Sequence, residues 1–110
     1  MSDFIKNLTA KKILNLKQEI PINNHLVVSK TLVQQLHVGM TLFSLDKDES
    51  ISAHKATGDA LVYLLSGHAK ITLDGEDFNV SEGESLLMPA GVPHALYAET
   101  AFQMLLIVVK

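Results

Sequence analysis

The side chains of this 110-residue sequence best suited to chemistry near neutral pH are its five histidines. An unperturbed imidazole changes charge there, ligates metals through a ring nitrogen, and can donate and accept hydrogen bonds. Two of the five stand where the chain should hold a side chain still. His54 ends the short strand candidate Ser52–His54, and His94 follows the corner Pro89-Ala90-Gly91-Val92-Pro93, which forces a tight turn before a return strand. Alternation along that strand sends His94, Leu96 and Ala98 to one face and Ala95 and Tyr97 to the other.

The remaining candidates carry less. His68 follows Gly67, where a polar turn residue is ordinary, and His25 sits in the polar stretch Asn23-Asn24-His25. His37 is out of phase with Leu36, Val38 and Met40. Asp59 follows Gly58 and alternates away from the face bearing Ala60, Val62 and Leu64, so it reads as a turn aspartate. Tyr63 and Tyr97 could assist a proton transfer only if they turned inward. With no cysteine, disulfides, thiolate nucleophiles and cysteine-bound zinc are all excluded. There is no Gly-x-Ser-x-Gly elbow, His-Glu-x-x-His helix, phosphate loop or dinucleotide glycine fingerprint, so acyl-transfer and nucleotide chemistry are not leading readings.

The elements that would position the two histidines are strands. From Ile22 onward, short β-forming runs alternate with turn residues: Asn24–Ser29, Gln34–Ser44, Ser52–His54, Ala60–Leu65, Ala69–Leu73, Asp77–Val80, Ser85–Met88, His94–Ala98 and Phe102–Val109. Asp74-Gly75 is the clearest hairpin, because both residues tolerate the positive φ of a two-residue turn. Gly58-Asp59, Ser66-Gly67 and Ser81-Glu82-Gly83 punctuate the chain in the same way. Residues 1–21 show neither a helical period nor a clean alternation and form an arm, either a short helix or edge strands; residues 22–110 form one barrel. The last strand, Met104-Leu105-Leu106-Ile107-Val108-Val109, is apolar on both faces and calls for cover on both, from the barrel interior, a second layer or another subunit, so a homodimer is expected.

Composition narrows the class of partner. Hydrophobic residues make up 47% of the chain, enough for a core, and the net charge of −3 with scattered basic residues argues against nucleic acid. No apolar run approaches the roughly 18 residues of a membrane span, and the N-terminus lacks the features of a signal peptide. A cytoplasmic location and no membrane partner are the expectations.

The segment Gly83-Glu84-Ser85-Leu86-Leu87-Met88-Pro89-Ala90-Gly91-Val92-Pro93-His94 resembles the second motif of the cupins: glycine, five residues, proline, one residue, glycine, two residues, histidine. Ser52–Gly67 is similar to the first motif in frame, with His54 at the first histidine position, Ala56 in place of the second and Ala60 in place of the glutamate. More narrowly, the chain resembles a group of short bacterial cupin-domain proteins without a settled activity, over about residues 38–109. The resemblance implies an all-β fold, a double-stranded β-helix or jelly-roll barrel with a ligand cavity inside it.

Full-motif cupins hold a divalent metal with three histidines and a glutamate, and this chain keeps two of the four positions. The resemblance therefore leaves three readings open. In the first, a small molecule binds in the cavity, with His54 and His94 as hydrogen-bonding anchors and Met40, Ala56, Val62, Met88 and Leu96 as apolar lining. In the second, His54 and His94 hold weakly bound zinc, iron, manganese or nickel in an oxygenase or isomerase. In the third, the two imidazoles perform metal-free acid–base catalysis on a sugar or small acid.

Overall fold

A computed structural model describes residues 4–110 and shows a jelly-roll barrel made of two facing antiparallel sheets. The strands are β1 (Val27–Gln34), β2 (Val38–Leu45), β3 (Ser50–His54), β4 (Asp59–Ser66), β5 (His68–Leu73), β6 (Glu76–Ser81), β7 (Ser85–Met88), β8 (His94–Tyr97) and β9 (Phe102–Val109). The larger sheet runs β1-β2-β9-β4-β7 and the smaller β3-β8-β5-β6. The apolar last strand thus sits at the centre of the larger sheet, paired with β2 on one side and β4 on the other.

Alternation explains how each strand divides its residues. Ala60, Val62 and Leu64 of β4 and Phe102 and Met104 of β9 point between the sheets, where they pack with Leu45, Ile71, Met88 and Leu96. The intervening residues face outward. At the tip of the β5–β6 hairpin, Asp74 and Gly75 both have positive φ, 47° and 86°, as the two central positions of a mirror-image turn require.

The arm forms a second layer on the outer face of the larger sheet. It contains one helical turn, α1 (Leu16–Glu19), whose Asn15 side chain accepts a hydrogen bond from the Lys17 N–H. Ile20 is buried against Leu32, Val33, Leu42 and Leu65. The amide of Gln103, projecting outward from β9, donates to the carbonyls of Lys17 and Ile20 at 2.6 and 2.8 Å and accepts from the Ser66 hydroxyl at 2.7 Å.

Two expected strands are corrected. Gln34–Ser44 is two strands, because the chain reverses through Gln35-Leu36-His37, closed by the Gln35 N–H on the Val38 carbonyl at 2.9 Å. The first strand accordingly runs on to Gln34, with a bulge between Thr31 and Val33, instead of stopping at Ser29.

Candidate functional site

His54 and His94 come from different strands and meet directly. β3 pairs antiparallel with β8, and His54 is the cross-strand partner of His94. Both side chains therefore leave the sheet on the same face, a few ångströms apart. Their Nε2 atoms lie 3.0 Å apart, with ring centroids at 4.2 Å and planes inclined by 66°. Each Nδ1 faces a backbone carbonyl two residues earlier: His54 that of Ser52 at 3.1 Å, and His94 that of Val92 at 3.3 Å. A carbonyl only accepts, so each contact favours a proton on Nδ1, while a hydrogen bond between the two Nε2 atoms requires one ring to carry its proton there instead.

The corner that carries His94 is itself pinned. Asp59 accepts a hydrogen bond from the Ala90 N–H at 2.8 Å, and the Ala56 carbonyl accepts from the Gly91 N–H at 2.9 Å. Asp59, the first residue of β4, thus stabilises the corner before His94, and it does not line the cavity.

Behind the histidine pair lies a cavity of about 290 Å³ between the sheets, lined by His54, His94, Val27, Phe43, Ile51, Met88, Leu96, Met104 and Leu106. Among the described residues the two imidazoles are its only polar side chains. His54 is exposed, whereas His94 is 4% exposed, so the pair spans from the rim to the interior. Burial first, and the neighbouring His54 second, lower the proton affinity of His94 below that of an ordinary histidine, against a smaller opposing effect of the Val92 carbonyl.

Three of the residues expected to line the cavity lie elsewhere. Met40 points to the outer face, where it packs against the Ile20 and Leu32 cluster, because β2 begins at Val38 and its inward phase falls on Phe43 and Leu45. Val62 is wholly buried in the packed core without reaching the cavity. Ala56 follows the end of β3 and serves the corner through its carbonyl. Conversely, Val27, Phe43, Ile51, Met104 and Leu106 line the cavity without having been singled out. The common phase of Phe102, Met104 and Leu106 was the signal available for two of them.

The other histidines stay on the surface. His37 contacts the Lys110 carbonyl at 2.8 Å, His68 the Ser81 hydroxyl at 2.9 Å, and the His25 N–H donates to Asp46. Tyr63 and Tyr97 both face outward, and the Tyr97 hydroxyl donates to Asp48 at 2.8 Å. A larger groove of about 590 Å³ between the arm and Tyr63, Leu65 and Glu82 is open to solvent and reached by none of the histidines.

Each imidazole of the pair has its Nδ1 on a carbonyl, an arrangement also found around metal-ligating histidines. The rest of a donor set is missing. Among the described residues no three of His, Cys, Asp or Glu come together as a metal cluster, and the rest of the cavity lining is apolar side chains without a further nitrogen or carboxylate donor. These residues do not fit a resident metal that needs three protein donors.

Comparison with known proteins gives a consistent picture of the fold. A family model described as a cupin domain matches residues 41–110. A conserved protein of unknown function from Streptococcus pyogenes is 51% identical over 99% of this chain and 96% of its own, with a TM-score of 0.97. A cupin superfamily protein from Desulfitobacterium hafniense is 33% identical over 96% of each chain, with a TM-score of 0.91. A cupin 2 conserved barrel domain protein from Leptotrichia buccalis is 46% identical over 88% of this chain but 47% of its own, with a TM-score of 0.87. No functionally curated protein matches the sequence.

Proposed function

This chain belongs to the cupin family, and from that premise we propose that it is a ligand-binding barrel that takes a small molecule into the cavity behind His54 and His94. The observation that carries this reading is a cavity of about 290 Å³ whose described lining is apolar side chains and two convergent imidazoles. Apolar lining with a few placed polar groups is the usual composition of a small-ligand site. The volume is at the low end for such sites, so the ligand is small.

The test is a thermal-shift screen of metabolite-sized compounds on the wild-type protein and a His54→Ala, His94→Ala double variant. Compounds that raise the melting temperature of the wild type and not of the variant are expected. Metal-dependent turnover at a useful rate would defeat the reading.

A second reading, a divalent-metal oxygenase or isomerase using His54 and His94, is favoured by the two Nδ1–carbonyl contacts and opposed by the donor count. It predicts near-stoichiometric metal by elemental analysis, lost in the double variant.

We also read the chain as a homodimer. The outer row formed by Met40, Ile107, Leu61 and Leu87 joins four neighbouring strands; Met40 at one end abuts the arm's cluster, and the other end, where Leu61 and Leu87 are exposed, is the face a second copy would cover.

A further inference from the structure

The ligand's head group can be read from the hydrogen-bonding state of the histidine pair. A neutral pair at 3.0 Å holds one proton between the two Nε2 atoms, so one ring donates there and the other accepts. The shorter Nδ1 contact belongs to His54, at 3.1 Å to the Ser52 carbonyl, against 3.3 Å for His94 to the Val92 carbonyl. One of these two carbonyl contacts must give up its proton, so that one ring donates from Nε2 and the other accepts there.

We infer that the cavity selects a neutral hydroxyl compound with a compact hydrocarbon body, such as a phenol or cyclic alcohol, whose oxygen inserts between the two imidazoles. The inference rests on reading the cavity as a ligand site. Insertion breaks the contact between the two Nε2 atoms and leaves one donor and one acceptor to satisfy. A hydroxyl supplies both from a single atom, accepting from one imidazole and donating to the other. Ether and carboxylate oxygens lack the donor, and an ammonium lacks the acceptor. Among the described residues no carboxylate lines the cavity to balance a buried cation.

Geometry fixes the direction of entry. His54 is exposed and can swing outward, whereas His94 is buried, so the hydroxyl stays near the rim and the hydrocarbon body goes inward. An apolar cavity of about 150 Å³ already holds benzene, and this one, at about 290 Å³, has room for one substituted ring. Phe43, Met88 and Met104 supply a ring and two thioethers, which make favourable contacts with an aromatic guest.

Four probes of similar size separate the possibilities in calorimetric titrations of the full chain: phenol, cyclohexanol, anisole and benzoate. Phenol and cyclohexanol are expected to bind about tenfold more tightly than anisole, the effect of one unsatisfied buried hydrogen-bonding group. The exposed position of His54 allows a His54→Leu variant, which should reduce phenol to the affinity of anisole while keeping the circular dichroism of the wild type. Histidine ring ¹⁵N spectra of the unaltered protein give a second readout: phenol should move both Nε2 resonances. Equal binding of phenol and anisole would overturn the head-group inference and leave the ligand-site reading standing. Tighter binding of benzoate would overturn it in favour of a protonated pair, and binding of none of the four would overturn both.

Discussion

His94 sits on the inner side of its strand with 4% of its surface exposed, and its nearest polar neighbour is another imidazole. Charging it costs burial energy first and electrostatic repulsion from the neighbouring His54 second, so its folded-state pKa lies below the ordinary value of 6.5. The unfolded chain then binds more protons than the folded one between the two values, and stability rises with pH across that window. The stabilising difference is complete above the unfolded value and is lost as pH falls below it towards the lowered value. Urea unfolding should therefore show a lower midpoint at pH 5 than at pH 7.5. A His94→Gln variant should remove most of this difference relative to the wild type. His54→Ala should remove only the smaller, repulsive part, because burial is the larger cause. An unchanged pH profile in His94→Gln would show that His94 is not the group responsible.

At the scale of elements, the hydrogen bonds of one side chain tie the end of the arm's helical turn to the sheet. Gln103 satisfies two carbonyls at the end of α1 and takes the proton of Ser66, while being 7% exposed itself. Gln103→Leu should cost about 2 kcal/mol by leaving these groups unpaired, and limited proteolysis should then cut the arm before the barrel. Gly67, between β4 and β5, has φ of 76°, and a Cβ there would collide with the Ala101 carbonyl. Gly67→Ala should destabilise the barrel by about 2 kcal/mol, read as a fall in urea midpoint at unchanged slope. Such glycine-marked turns were legible in the sequence because the signal is local. The β1–β2 turn was not, since Gln35-Leu36-His37 contains neither glycine nor proline and Leu36 prolongs the apolar pattern. The arm was illegible for another reason: four helical residues give no period, and Ile20 is placed by tertiary contacts alone. In the site, motif spacing singled out His54 and His94, whereas Val27, Phe43 and Ile51 meet only when the two sheets close.

At the scale of the molecule, β9 poses a problem of cover. Its inner residues Phe102, Met104, Leu106 and Val108 pack between the sheets, and on its outer face Gln103 and Leu105 lie against the arm's layer. Ile107 is aligned with Met40 on one side and Leu61 on the other, and Leu61 in turn with Leu87. Leu61 and Leu87 are 39% and 56% exposed, and no charged side chain interrupts the row. A contiguous apolar strip across four strands is the kind of surface that the proposed homodimer would bury. A two-fold contact would set the same row against itself, since both partners of a symmetric dimer use one patch. Light scattering coupled to size exclusion should give the mass of a dimer for the wild type. Leu61→Glu should shift it to the monomer, because the two-fold contact would bury one unpaired carboxylate from each copy. Leu61 faces outward, so the variant should fold, with circular dichroism unchanged. A monomeric wild type would remove the second copy as the explanation for this face, and a Leu61→Glu protein that stayed dimeric would place the contact elsewhere on the barrel.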